Sequence, residues 1–265
     1  MTAKIHPSSV VHDGAQIGTG VEVGPFCEIG AGAVLSDGVK LHGRVTLTGA
    51  VHLGEQVEVF SGAALGGRAQ SIGSKDAPDT GVVVGARSVL RECVTIHAGL
   101  PDHNRHTRLG EDCYMMAYCH LGHDCDIGDN NVMANCVQYA GHIKTGRHVW
   151  AGGSAAVHQF TEIGDYAFVG GGAILVEDVI PFGMVAGNRA SLQGLNIRGL
   201  TRRGFTRSDL HEVRRAYKAI FQGSGTLLER MQRAEIDFSG NSNVSQLLEF
   251  IRKDRKRPLC LPERV

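Results

Sequence analysis

The sequence predicts a mainly β protein: a parallel β-helix of hexapeptide repeats followed by a C-terminal α-helical domain. Three observations carry this. A branched aliphatic recurs every sixth residue, from Ile5 through Val11, Ile17, Val23, Ile29, Leu35, Leu41, Leu47, Leu53 and Val59 to Leu65. A second column of small residues, Ala15, Val21, Cys27, Ala33 and Val39 among them, keeps the same period. Glycine often follows the aliphatic, as at Gly18, Gly24, Gly30, Gly54 and Gly66, and aromatic content is only 6%, so small aliphatics must fill the core. An amphipathic helix needs a period of 3.6 and a half-buried strand a period of 2; neither yields six. Three short strands per coil of 18 residues, stacked about 4.8 Å apart, do.

The elements follow in order. The frame breaks after Leu65 and resumes at Val84, Leu90 and Ile96. It breaks again before Leu109, Met115, Leu121, Ile127 and Met133. Tyr139, Thr145 and Ala151 are weaker members, and Val157, Ile163, Val169 and Leu175 restore it. The two breaks are insertions near residues 67–83 and 98–108. "VEDVIPFGMVAGN" reads as a closing coil, which bounds a β-helix domain at 1–187 and a helical domain at 188–265. In the latter, Leu210, Val213, Tyr217, Ile220 and Phe221 share a helical face with Thr206 or Ser208 as cap, and "TLLERMQRAEI" and "SQLLEFIRKDRKR" supply further helices.

Composition narrows the function. Lys plus Arg and Asp plus Glu each number 27, so no global field points to nucleic acid or an anionic membrane. No apolar run is long enough for a transmembrane segment, and the first residues lack a signal-peptide pattern, so a cytoplasmic location is expected. Cys113, Cys119 and Cys125 fall in the small inward column, which makes them core residues rather than metal ligands.

Positions 18 apart stack. His123 therefore lies in a column with Gly141 and Gln159, Asp124 with His142 and Phe160, and Gly122 with Ala140 and His158. His120 and His97 reach the same edge, where both insertions leave the prism. Loops on a rigid repeat commonly carry function. Three converging imidazoles would suit zinc, as in a metal-dependent hexapeptide-repeat hydratase. A base, its carboxylate and a backbone N–H would suit acyl transfer.

At this point "HLGHDCDIG", "AGHIKTG", "AAVHQFTEIG", "VAGNRA" and "LNIRGLTRRGF" resemble the UDP-N-acetylglucosamine O-acyltransferases of lipid A biosynthesis, in family order and over essentially the whole chain. The resemblance implies a left-handed coil, a homotrimer with sites between subunits, and no metal or other cofactor. It implies transfer of a 3-hydroxyacyl chain from the phosphopantetheine of acyl carrier protein to the sugar 3-hydroxyl. It also implies His123 as general base with Asp124 beside it, Gly141 as oxyanion donor, and His120 and His142 in the sugar pocket. His158, Gln159, Asn196, Arg202 and Arg203 would bind the nucleotide and its diphosphate, and Gly171 would leave the acyl groove open for a long chain. The first insertion departs from the family's "QDLK"-like run. Gln70 matches, but Ser71 replaces the acid, Gly73 stands where Lys is expected, and Lys75 is a shifted substitute. The same chemistry on the 3-amino analogue of the UDP-sugar is therefore an alternative. An N-acyltransferase of the same pathway would carry an N-terminal uridine-binding domain, whereas repeats begin here at Ile5. The basic run Arg252 to Arg257 reads as a solvated helix face, with docking of acidic acyl carrier protein as the sharper alternative.

Overall fold

The architecture comes from a computed structural model, which describes residues 2–75, 77 and 79–263. The hexapeptide columns become a three-sided prism. Lys4 pairs with Glu22 and Ile5 with Val23 in parallel register, so one coil is 18 residues. The first sheet runs from strand Lys4–Ile5 through Phe168–Val169 and Gly183–Ala186 to Ser191–Leu195, the second from Val10–Val11 to Ile174–Leu175, and the third from Gln16–Ile17 to Glu162–Ile163. Both sequence columns point inward: Leu35, Leu47, Leu53, Leu65, Ile96 and Leu121 are almost wholly buried, as are Val39, Val45, Val51 and Ala63. Tyr139, a weak member by sequence, is buried as well.

Most corners are made by a residue in the left-handed region, where an L side chain costs about 1 kcal/mol. Asp124 (φ 60°), His142 (62°) and Phe160 (66°) form one such column. The turn is held by a bond from each coil to the one before, such as His142 N–H to His123 C=O at 2.9 Å.

Two loops interrupt the count. Glu58 pairs with Val89, 31 residues on, and Val89 with Tyr114, 25 residues on. The first loop lies between strands Ala64–Gly67 and Gly81–Val84, the second between Thr95–His97 and His106–Leu109. Both join the second sheet to the third, so they leave the same corner. Residues 76 and 78 of the first loop lie outside the described residues.

The far end is closed. Gly183–Ala186 pairs antiparallel with Ser191–Leu195, a hairpin that crosses the expected 187/188 boundary, and the first helix begins only at Ile197. Helix α1 spans Ile197–Arg202, α2 Arg207–Phe221, α3 Leu227–Asp237 and α4 Ser242–Arg252. Thr206 and Thr226 start α2 and α3 with reciprocal capping boxes to Asp209 and Glu229. Leu210, Val213, Ala216, Tyr217 and Ile220 form the buried face of α2. The chain then returns to the prism: Asp178 bridges Leu259 in parallel, which ties the tail to the third sheet. No described helix is long and apolar enough to cross a membrane.

Candidate active site

The corner between the second and third sheets is built around Asp124, which is wholly buried. Its N–H donates to Thr107 Oγ1 at 2.9 Å. Thr107 occupies an inward position that Val51 and Val82 take in the coils below, so a core column gives up an aliphatic to fix this turn. The second loop wraps the carboxylate. Leu100 N–H reaches both oxygens at 3.2 Å, Asn104 N–H reaches Oδ1 at 3.0 Å, and Asn104 Nδ2 donates to the Asp124 carbonyl at 3.1 Å. His123 Nδ1 lies 2.8 Å from Asp124 Oδ2. Burial alone drives the Asp124 carboxyl upward, but the His123 hydrogen bond, the Leu100 N–H and the nearby imidazoles outweigh it and hold the group below its usual range. An ionised Asp124 only accepts, which places the imidazole proton on Nδ1 and leaves Nε2 with a lone pair.

That lone pair lies over Gly141. A Cβ on Gly141 would sit 2.7 Å from His123 Nε2 and 2.6 Å from Cε1, so any side chain there would displace the imidazole. The Gly141 N–H has no acceptor among the described residues. His142 meets the His123 ring edge-on at 4.9 Å and stacks on Phe160 at 4.4 Å, with His103 against it at 4.7 Å. Burial lowers the His142 pKa, against the opposing pull of Asp124. His120 Nδ1 lies 2.8 Å from Thr95 Oγ1, and burial, with His97 and His123 nearby, lowers its pKa to about 4. His158 and Gln159 are exposed one coil further on. Gln70 and Lys75 are exposed on the first loop.

The expected residues do not all meet within one chain. Asn196, Arg202 and Arg203 line a cavity of about 830 Å³ on the first sheet, with His148, Trp150 and Phe168. Asn196 is a helix cap: Oδ1 accepts from Gly199 N–H at 3.1 Å, and Nδ2 donates to the Tyr166 carbonyl at 2.9 Å. Arg203 donates to His148 Nδ1 at 2.7 Å. Gly171 lies at a third place, the corner between the first and second sheets, exposed beside Gly153. The three groups sit on separate corners.

One sequence expectation is corrected. Arg252 to Arg257 is not a helix face, because α4 ends at Arg252. Arg252 pairs with Glu235, Lys253 with Glu162 at 3.1 Å, and Arg255 approaches Asp178 at 3.9 Å while donating to the carbonyls that end α4. Lys256 lies 4.3 Å over the Phe160 ring, and Arg257 bonds His158 and the Gln159 carbonyl. The run therefore borders the corner that holds His123, Asp124 and His142. Sequence reading also passed over Thr107, Leu100, Asn104 and His103. Thr107 alone left a signal, a hydroxyl in an aliphatic column.

His123, Asp124 and His142 each offer a ligand atom within 4.8 Å of the others, enough to consider a metal. The donors do not fit one. The Asp124 oxygens already accept from two backbone N–H groups and from His123 Nδ1–H, and a cation would have to displace that proton. The cysteines take no part: Cys113, Cys119 and Cys125 are buried, and burial pushes their thiols up to about 12, 11 and 12.

A hexapeptide prism carrying a carboxylate-oriented imidazole over a free backbone N–H defines a class, the hexapeptide-repeat transferases. A family profile described as bacterial transferase hexapeptide (six repeats) matches residues 2–37, and one described as UDP N-acetylglucosamine O-acyltransferase, domain 2, matches residues 178–260. An acyl-[acyl-carrier-protein]–UDP-N-acetylglucosamine O-acyltransferase of Sinorhizobium fredii is 42% identical over 99% of this chain and 97% of its own length. The UDP-N-acetylglucosamine acyltransferase of Campylobacter jejuni superposes with a TM-score of 0.92 at 33% identity, covering 98% of this chain and all of that one. That of Arabidopsis gives 0.86 at 34% identity, over 97% and 99%. The chain belongs to the UDP-N-acetylglucosamine O-acyltransferase family, and its fold is the left-handed parallel β-helix with a helical C-terminal part.

The lowered His120 pKa has a consequence for stability. Between its ordinary value near 6.5 and about 4, the unfolded chain binds a proton that the folded site refuses. Stability therefore falls as pH drops through that window. His120→Asn should flatten the decline in denaturation midpoint between pH 7 and pH 4.5. An unchanged slope would contradict the assignment.

Proposed function

We propose that this protein transfers a 3-hydroxyacyl chain from the phosphopantetheine thioester of acyl carrier protein to the 3-hydroxyl of UDP-N-acetylglucosamine, the first step of lipid A biosynthesis. The observation that carries the proposal is the His123–Asp124 pair lying over Gly141. His123 Nε2 removes the proton as the sugar oxygen attacks the thioester carbonyl. The Gly141 N–H receives the charge that develops on the carbonyl oxygen. Asp124 keeps the imidazole in the required tautomer and stabilises the imidazolium. As the tetrahedral adduct collapses, the C–S bond breaks and the thiol leaves with the proton returned from Nε2. No cofactor enters the scheme.

His120 and His142 shape the sugar pocket, and Gln70 reaches it from the first loop. His158, Gln159, Asn196, Arg202 and Arg203 hold the nucleotide and its diphosphate. Because the last three lie on a different corner from His123, the complete site needs a second copy of the chain, and a homotrimer of parallel prisms supplies it. Cytoplasmic acyl carrier protein and UDP-sugar as substrates place the enzyme in the cytoplasm.

The first loop favours a second acceptor. Neither Ser71 nor Gly73 provides a charge, and Lys75 is exposed. The 3-amino analogue, giving an N-linked chain, uses the same base and oxyanion donor. Turnover of the two UDP-sugars with one 3-hydroxyacyl carrier thioester decides between them.

His123→Ala should lower kcat by about 10²- to 10⁴-fold while leaving a folded protein. Near-normal turnover by that variant would overturn the mechanism. Chain length is tested at Gly171, where a Cβ would meet only the Gly153 backbone, at 3.4 Å or more, so a side chain fits. Gly171→Met should shift preference toward shorter 3-hydroxyacyl chains. Loss of four buried methylenes is worth about 3 kcal/mol, or about 100-fold against the long chain. A wild-type preference for short chains, or an unmoved preference in the variant, would contradict the open groove.

A further inference from the structure

The C-terminal tail reaches the catalytic corner through Arg257. Its position is fixed from both sides. Asp178 N–H donates to the Pro258 carbonyl at 2.8 Å, and Cys260 N–H donates to the Asp178 carbonyl at 2.8 Å, so the residues after Arg257 run as an added strand of the third sheet. Before it, Lys253 is tied to Glu162, and Arg255 lies against Asp178 and the end of α4. The half-buried Arg257 side chain is thereby aimed at the next coil. Its Nη2 lies 2.6 Å from His158 Nδ1, and its Nε donates to the Gln159 carbonyl at 3.0 Å.

A guanidinium has donors only. His158 Nδ1 must therefore accept, and the ring proton must sit on Nε2. The 3.2 Å approach of Nδ1 to the Gln159 carbonyl is then a contact without a proton between the two atoms. His158 is exposed, and the charges near it bear on the ligand its ring suits. Lys256 covers Phe160, and it lines a cavity of about 410 Å³ with His103, His142 and Lys144, next to the exposed His158 rather than around it. The acidic groups lining it are Glu162, which is engaged by Lys253, and Asp254. Lys144 and Lys256 form no ion pair among the described residues. An N–H donor on a ring held by the Arg257 guanidinium, with Lys256 close by on Phe160, suits an anionic oxygen.

We propose that Arg257 is a positioning residue: the tail of the helical part locks His158 as an Nε2–H donor directed at a phosphate oxygen of a substrate. This rests on the acyl-transfer reading. Two phosphates share the chemistry, the diphosphate of the nucleotide sugar and the phosphodiester of the phosphopantetheine arm. Kinetics separate them. Arg257→Ala should raise KM about tenfold for the UDP-sugar if the diphosphate is bound, or for the acyl carrier thioester if the phosphodiester is. In either case kcat should stay within about twofold. In a His158→Ala background the same substitution should change that KM by less than twofold.

Nitrogen-15 NMR of the imidazoles gives a reading independent of turnover. Wild-type His158 should carry its proton on Nε2, and Arg257→Ala should yield a mixture of tautomers. Arg257→Lys serves for the same measurements if the alanine variant does not fold. A proton on Nδ1 in the wild type would overturn the inference. So would unchanged KM values for both substrates, or a full-sized effect without His158. Absence of acyl transfer by the wild type would remove the functional reading, while the tautomer measurement would still decide the role of Arg257.

Discussion

The structure depends on one constraint, the 18-residue parallel register. Each strand is only two to five residues long and has no stability alone; its backbone is satisfied by the coils above and below. The register fixes which residues stack, and stacking puts a column of left-handed corner residues along each edge. At most corners this column holds side chains that merely turn the chain. Between the second and third sheets it holds Asp124, His142 and Phe160, so the requirement that folds the prism also brings a carboxylate, an imidazole and an aromatic platform together.

Rigidity and function meet at that corner through the second loop. A buried carboxylate is costly unless its oxygens are bonded. Here backbone N–H groups of Leu100 and Asn104 provide the bonds, together with His123, and Thr107 fixes the turn from inside the core. The loop thus holds the carboxylate that orients the His123 imidazole. The opposite end of the chain does similar work: its tail crosses back over the last coils and reaches His158 and Phe160.

Much of this was legible in the sequence because a period of six has one structural meaning. The inward columns, the core placement of Cys113, Cys119 and Cys125, the stacking of His123 over Gly141, and the shared exit of both loops all follow from counting. Counting stops where the register stops. Residues 98–105 have no column, so the bonds from Leu100 and Asn104 to Asp124 left no trace in the spacing. Arg252 to Arg257 looked like a helix face because Leu247, Leu248 and Ile251 set a helical pattern just before it. The chain instead leaves the helix after Arg252 and follows the prism. Asn196 shows a different limit: the sequence motif does not reveal that it lines a cavity with Arg202 and Arg203 while both ends of its amide are occupied by a helix cap and a carbonyl.

The central claim is that a negatively charged Asp124 holds His123 with its lone pair on Nε2. Asp124→Asn keeps the shape and tests the charge. An amide offers one acceptor where the carboxylate offers two, and its NH₂ can donate to Nδ1 and drive the proton to the wrong nitrogen. The account predicts a folded variant whose kcat falls by about 10³-fold, with KM for both substrates within a few-fold of wild type. A kcat within threefold of wild type would contradict it.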